Sequence, residues 1–557
     1  MGVERSKIRW NGWGWTARHE AEAERNELWT WLAGELGMPA LLATPARPFE
    51  EIALPPSQLD AGTRAELIGM LGGDRVREDR YERLFHAVGR SYHDLLMLRA
   101  GRTTDAPDAV LYPRGTDEVL ALLERAAQRN IAVIPFGGGT SVVAGVNAIR
   151  GDFRSVLTLD LSGMDRVLDI DACSKVATAE AGIYGPNLES ALQAKELTLG
   201  HFPQSFEFSS LGGWIAHGGA GQNSDLYGRA RDWLVGAKLA TPRGLIDTRA
   251  YPASSAGPDL NAIILGSEGV FGIITQATIR LRANPRARQY CGYLFRTFEQ
   301  GVAAIRTASQ EGLSPAMLRL SDAGETRFFR AYAATQSAFS ASRRIASLYL
   351  RLRRFDSQAC AMISGFEGEP HKVEAVRRRF ASIAKSFGAI SLGNGVGRRW
   401  LKDRFHGPYL RDPMLERGVG VDTLETSVSW SKLDSLHAAV CAALHAAIRE
   451  TVPRPDARGV VMCHISHSYS NGASLYFTII FPRRLDDEIG QWRKIKTAAS
   501  DAIVSNGGTI SHHHGVGLDH LPWMEAEKGA LGIDVLRAIK RAVDPKGILN
   551  PGKLIPG

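Results

Sequence analysis

Pro135-Phe136-Gly137-Gly138-Gly139-Thr140-Ser141 follows an apolar run, Ile131–Ile134. Three consecutive glycines let backbone N–H groups come close to a ligand, and such a nest holds phosphate oxygens. It is not a Walker loop, since no G-x-x-x-x-G-K-[ST] occurs, nor is it G-x-G-x-x-G. Two further blocks, Gln204–Trp214 and Gly266–Ile274, interrupt apolar stretches with small residues and hydroxyls. Three such loops in one α+β region suit an extended ligand with a pyrophosphate and a large flat ring. A second chemical feature is His512-His513-His514, set between Asn506-Gly507-Gly508 and Gly515-Val516-Gly517. Three adjacent histidines can be a surface loop, an adventitious metal site or part of a reaction site. Adjacent side chains diverge, so one or two of them reach a ligand and the rest support them.

These loops need scaffolding. Strand-like runs at Ile131–Ile134, Val156–Leu161, Lys175–Glu180 and Leu234–Ala240 are separated by helical stretches such as Thr116–Arg129 and Tyr184–Lys195. They predict an α+β domain ending near Leu281, with Arg282-Ala283-Asn284-Pro285 as a linker. The first hundred residues have helical spacing, as in Ala21–Leu36 and Asp79–Arg99. Beyond Ala287 helices interleave with strands, clearest at Ala361–Phe366, Val419–Ser429, Val460–Ser466 and Ser474–Phe481. Asp486–Ser505 and Ala530–Val543 read as helices, and Asn550-Pro551-Gly552-Lys553 breaks the last.

With 557 residues, 44% hydrophobic and 23% charged, the chain has the composition of a folded protein of several domains. No apolar run approaches the ~20 residues of a membrane helix. Met1–Trp15 is broken by Glu4, Arg5 and Arg9, so no secretory signal is expected there. The five cysteines form no C-x-x-C pair, which fits reduced thiols in a cytoplasmic protein. A net charge of +8 favours anionic ligands or a membrane surface, with basic residues gathered in Arg343–Arg354 and Arg377–Lys385. No nucleic-acid partner is expected.

P-x-G-G-G-T-S, S-x-E-F-S-x-x-G-G-W and G-S-E-G-x-x-G-I-I-T together resemble the FAD-binding domain of the vanillyl-alcohol-oxidase (PCMH-type) flavoproteins. Asp544–Lys553 resembles that superfamily's C-terminal signature. Trp10–Gly14, Tyr409–Asp412, Glu425–Ser427, Gly472–Phe477 and Ser511–Gly517 resemble the alkyldihydroxyacetonephosphate (alkylglycerone-phosphate) synthase family. The resemblance implies an α+β fold: a PCMH-type FAD-binding domain plus an α/β cap (substrate) domain, with helical terminal segments. The implied division is an N-terminal helical segment at 1–105, the FAD-binding domain at 106–283, the cap at 284–500 and a C-terminal segment at 501–557 that completes the active site.

The resemblance places FAD contacts on Pro135, Phe136, Gly137, Gly138, Gly139, Thr140 and Ser141. It also places them on Gln204, Ser205, Phe206, Glu207, Phe208, Ser209 and Ser210, and on His217, Gly218, Gly219 and Ala220. The third loop adds Glu268, Gly269, Val270, Phe271, Gly272, Ile273 and Ile274. Gln204 departs from the pattern, since the synthases typically have Asp there. Thr140 stands where covalent members of the superfamily often carry His, so the flavin is expected to be held without a covalent bond. Substrate-side residues implied by the resemblance are Arg411, Arg319, Tyr476, His201 and the cluster His512, His513 and His514.

The implied reaction exchanges the acyl chain of acyl-dihydroxyacetone phosphate for a fatty alcohol, with the flavin as a covalent handle on the substrate carbon and no net redox. It requires a cation for the phosphate, expected from Arg411 or Arg319, and a base, expected from Tyr476 with the histidines. A phenol of ordinary pKa near ~10 needs neighbouring cations to act as that base. The alternative is an FAD-dependent 2-hydroxy-acid oxidase or dehydrogenase; a non-enzymatic flavoprotein module is the weaker third reading. Many such oxidases carry a metal-holding H-x-G-D-G-N-x-H, which is absent from His467–Tyr476, and alternation in a strand puts His464 and His467 on opposite faces. No catalytic metal is therefore expected. A lipid substrate leaves open a peripheral membrane contact, and a homodimer is left open as well.

Overall fold

The computed structural model describes residues 4–103, 105–334, 353 and 355–557. Most of the basic run Arg343–Arg354 therefore lies outside the described residues. A four-stranded sheet takes the order Val76–Arg77, Ala109–Leu111, Ser155–Asp160, Ile131–Phe136, the last three strands parallel. A five-stranded antiparallel sheet takes the order Val167–Asp171, Val176–Glu180, Ile273–Arg280, Leu234–Thr241, Gly244–Asp247. The largest sheet, seven antiparallel strands, runs Ile390–Gly393, Ala287–Phe295, Cys360–Gly368, Met317–Ser321, Val460–Ser468, Gly472–Pro482, Val419–Ser429.

Local chemistry accounts for the elements that carry the loops. In helix Thr116–Arg129 the buried Val119, Leu122, Leu123 and Ala126 recur every three or four residues and pack with Ile131, Val133 and Leu157. Asn130, with φ at 57°, ends that helix in the left-handed region that Asn tolerates, so Ile131 starts the strand at once. The strand's end delivers Gly137–Gly139 to the cavity described below.

Three expectations change in the fold. The helical reading of Asp79–Arg99 splits into Arg80–Phe85 and Tyr92–Arg99, because Ser91 caps a new helix by accepting the Asp94 N–H. Arg282–Ala283 is not a free linker but pairs with Leu197–Thr198. Asn550 does more than break a helix: its N–H donates to Val133 O at 2.9 Å, and Val133 N–H donates to Ile548 O at 2.8 Å, stitching the C-terminal tail onto the four-stranded sheet.

In the seven-stranded sheet, period-2 alternation divides the labour. Leu318, Leu320, Cys463, Ile465, Leu475 and Phe477 face the helices Phe298–Gln310, Pro370–Ser386, Leu433–Thr451 and Glu488–Ser505 in the main apolar core. Arg319, His464, Tyr476 and Thr478 take the other face. Helix Pro370–Ser386 carries the basic run Arg377–Lys385, where Arg377 and Arg378 pair with Glu374 and Arg379 pairs with Glu311. Those pairings reduce the anion-attracting field expected of that face.

Candidate active site

A cavity of about 1550 Å³ separates the glycine loops from the polar face of the seven-stranded sheet. That exceeds the upper ~1,000 Å³ of a usual single-ligand pocket. On one side it is lined by Pro135–Ser141, Gln204, Ser205, Ser209, Ser210, His217, Ala220, Glu268, Gly269 and Gly272–Ile274. The loops interlock through glycine: a Cβ on Gly138 would lie 1.6 Å from Phe208 O, and one on Gly269, where φ is +75°, 2.2 Å from Pro135 Cγ. At Gly138 backbone therefore meets backbone, and at Gly269 backbone meets the Pro135 ring.

Some expected contacts face elsewhere. Phe206 stacks on Trp214 and Phe405, and Phe208 sits edge-on to Trp13 and Trp15, because both rings gain more from the core than from the cavity. Glu207 pairs with Arg18. Val270 and Phe271 pack with Met524, Ile533 and Leu554, while Gly218 and Gly219 form the turn beneath His217 and do not line the wall. Gln204 Nε2 donates to Arg404 O across to the cap. His201 is also withdrawn: it is buried between Trp214 and Trp233, and burial pushes its imidazole down to about 3. Neither ring nitrogen has a partner among the described residues, and the ring does not line the cavity.

Two carboxylates fix the histidine loop. Glu425 accepts the backbone N–H groups of His512, His513 and His514 at 2.6, 2.9 and 2.7 Å, and the Ser511 hydroxyl at 2.8 Å. Burial opposes its charge, but the facing imidazoles and these donors hold it well below the usual carboxylate range. From the flavin side, Glu268 accepts the Val516 and Gly517 N–H groups at 3.1 Å, and burial pushes it up to about 7. His513 and His514 line the cavity, whereas His512 turns to Tyr469, its Nε2 lying 2.5 Å from the hydroxyl. Burial pushes all three imidazoles down.

On the sheet, Tyr476 stacks on His464 with centroids 5.0 Å apart, and His514 stands edge-on to it at 5.4 Å. Burial pushes the phenol up to about 12. The hydrogen bond with Thr423 and the charge of Arg319 pull it down only in part, because Glu425 and Asp422 push the same way as burial. With the phenol pushed up and the imidazoles pushed down, Tyr476 can donate a hydrogen bond and His513 or His514 can accept one. Arg319 donates to Glu325 Oε1 at 2.9 Å, and the same oxygen lies 2.9 Å from His464 Nδ1. His464 and Arg319 together outweigh burial and hold Glu325 down to about 2. Arg319 is thus already neutralised by a carboxylate.

Arg411 is not. Its Nη1 donates to Arg90 O at 2.7 Å, and Arg90 N–H donates to Ser141 O at 2.6 Å, so the glycine loop itself places this guanidinium. Nε and Nη2 of Arg411 are buried at the cavity wall with no partner among the described residues. Unsatisfied buried donors on a cation mark an anion site.

The strand carrying His464 and His467 has a bulge: Ile465 pairs with Leu475 and Ser468 with Ala473, leaving Ser466 and His467 opposite Ser474 alone. The extra residue resets the alternation, and both histidines line the cavity, contrary to the expected opposite faces. His467, His512 and His513 bring three ring nitrogens within 4.8 Å of one another. Both nitrogens of His467 and both of His512 already meet protein hydrogen-bonding groups. Glu425, Glu325, His464, His467 and Tyr469 were not singled out as site residues from sequence, because they act across strands and carry no local pattern. Only Glu425, inside Glu425-Thr426-Ser427, had a signal.

A family model described as an FAD binding domain matches residues 107–248, and one described as the C-terminal domain of FAD linked oxidases matches 284–554. Over 99% of its length the chain is 35% identical to alkyldihydroxyacetonephosphate synthase of Dictyostelium discoideum, covering 94% of that protein. The chain belongs to the alkyldihydroxyacetonephosphate synthase family. The counterpart from Trypanosoma brucei brucei is 33% identical, with 99% of this chain and 92% of that protein covered. A solved alkyldihydroxyacetonephosphate synthase superposes with a TM-score of 0.83 at 31% identity, covering 98% of this chain and 99% of the other. FAD is the cofactor of this family's fold, and the interlocked glycine loops fit it. Among the described residues no helix is long and apolar enough to cross a membrane.

Proposed function

We propose that this chain exchanges the acyl group of acyl-dihydroxyacetone phosphate for a fatty alcohol, with no net oxidation. The observation that carries this reading is Arg411: a buried guanidinium with two unpartnered nitrogens at the same wall as Tyr476, His513 and His514. FAD, held without a covalent bond by the loops at 135–141, 204–210 and 268–274, supplies the electron-accepting ring beside which the substrate carbon reacts. Arg411 binds the phosphate dianion. A neutral imidazole of His513 or His514 takes the carbon-bound proton, and Glu425 stabilises the resulting charge. Tyr476 donates a hydrogen bond to the oxygen on which charge develops. Phe328, Met414, Val421, Met462 and Ile480 line an apolar arm that suits the exchanging chains and excludes water. The lipid substrate favours delivery from a membrane surface, which the paired arginines at 377–379 support only weakly.

The test is fatty acid release from acyl-dihydroxyacetone phosphate with hexadecanol present, under anaerobic conditions and without an electron acceptor. Wild type turns over, and Tyr476→Phe, which keeps the ring, falls by about 10²–10⁴-fold. A wild type that releases nothing yet reduces a dye with a 2-hydroxy acid would overturn the proposal.

A further inference from the structure

Behind the seven-stranded sheet, on the face away from the cavity, helix Leu433–Thr451 places His437 and Cys441 one turn apart on one side. Opposite them is Asp322, at the start of helix Ala323–Ala334. The ligand atoms of Asp322, His437 and Cys441 all lie within 4.8 Å of one another. His437 Nε2 is 3.4 Å from Asp322 Oδ2 and 3.7 Å from Cys441 Sγ. Both contacts converge on the one ring nitrogen.

We propose that Asp322, His437 and Cys441 form a binding site for a zinc-class divalent cation. Metal–ligand lengths of about 2.1 Å to N or O and 2.3 Å to S, at tetrahedral angles, separate N from O by about 3.4 Å and N from S by about 3.6 Å. The observed separations match both edges. Two of the three ligands are also held from behind, as metal ligands are. Asp322 Oδ1 is occupied by the Glu325 N–H at 2.7 Å, which leaves Oδ2 for the ion. The Asp322 N–H is tied to Cys463 O at 2.8 Å. The His437 ring is clamped between Phe298 and Phe477, with centroids at 4.8 and 6.1 Å and nearly parallel planes. Cys463 is fully buried beside the same imidazole but falls outside this group of mutually close ligand atoms, which leaves three protein ligands. The His437 side chain is 21% exposed, so an ion has a way in. The site is separate from the His467–His512–His513 group, in which both nitrogens of His467 and both of His512 already have hydrogen-bonding partners.

The experiment uses the intact flavoprotein. It is equilibrated with equimolar zinc, desalted and assayed for metal and flavin, and its zinc K-edge absorption is recorded. We expect about one retained zinc per chain with sulfur at about 2.3 Å among its ligands. Cys441→Ser and His437→Gln lose at least about tenfold in zinc affinity while flavin content holds, and His512→Asn keeps the metal. Zinc that is not retained by wild type, or that shows only nitrogen and oxygen ligands and leaves with His512→Asn, would overturn the proposal. Should Cys441→Ser lose its flavin and so prove misfolded, the wild-type absorption edge still decides by the presence or absence of sulfur.

Discussion

Two walls face each other across the cavity, and they are built by different means. The flavin wall is backbone. Its glycines let neighbouring loops touch, and one Cβ at Gly138 would drive an atom to 1.6 Å from Phe208 O. The substrate wall is side chains brought from separate strands and loops, and charge holds it in place: Glu425 grips the histidine loop, Glu325 grips Arg319 and His464, and Arg411 hangs from Arg90. A wall of contacts fails by collision, all at once. A wall of charges fails by degrees, because each lost hydrogen bond is worth only about 0.5–3 kcal/mol.

Gly138→Ala is accordingly the harshest change. Backbone cannot yield the required distance, so the loops separate and FAD is lost; the flavin-to-protein absorbance ratio of the purified variant should fall close to zero. A variant with full flavin would show that the two loops move as freely as side chains, and the contrast between the walls would collapse. Next comes Glu425→Ala. It orphans three amide N–H groups and the Ser511 hydroxyl at about 1–3 kcal/mol each, and displaces His513 and His514. Turnover should fall by about 10³-fold or more with flavin content retained, a pairing no damage to the flavin wall can give. Glu425→Gln, which can still accept, should recover part of it.

Arg411→Ala and Arg319→Ala sharpen the comparison within the substrate wall. One or two charged hydrogen bonds to phosphate at roughly 1.5–3 kcal/mol each imply a fall in kcat/KM on the order of 10- to 10⁴-fold for Arg411→Ala. Arg319 already spends its charge on Glu325, so its loss should cost at least about tenfold less. Equal losses in steady-state kinetics would make the two arginines one phosphate clamp.

The same contrast explains what sequence could show. The flavin wall is written in contiguous motifs, because backbone geometry demands glycine at fixed neighbouring positions; Gly137–Gly139 and Glu268–Gly272 are legible on their own. The strands Val419–Ser429 and Val460–Ser468 are legible too, as apolar alternation. The bulge at Ser466–His467 is not, because it depends on pairing with Ser474 in another strand. Nor is the withdrawal of His201, decided by two tryptophans distant in sequence. Nor is the upward push on the Tyr476 phenol. Burial in three dimensions, which no local motif records, outweighs the cations that sequence placed nearby.

The smallest effect concerns Glu268, the one charged group in the backbone wall. Its carboxyl rises from 4.5 to about 7 through burial, with the Val516 and Gly517 amides only partly compensating. The folded state therefore binds this proton more tightly than the unfolded chain does. Below about pH 4.5 both states carry it and the group is neutral in its effect; between about 4.5 and 7 the unfolded chain has released it while the folded protein holds it, so stability falls as pH rises. Above about 7 the loss is complete, on the order of 3 kcal/mol. Asp225 and Asp519 are raised in the same direction, so wild type alone cannot isolate Glu268. The difference from Glu268→Gln can. At about 2.1 cal/mol/K of unfolding entropy per residue, that loss is worth about 2–3 °C in Tm. Glu268→Gln should therefore unfold at a lower temperature than wild type at pH 5, having lost part of the Gly517 contacts, and the gap should narrow by about 2–3 °C by pH 8. A gap that stays constant across this range would mean that Glu268 ionises normally and that charge, as well as backbone contact, holds the flavin wall.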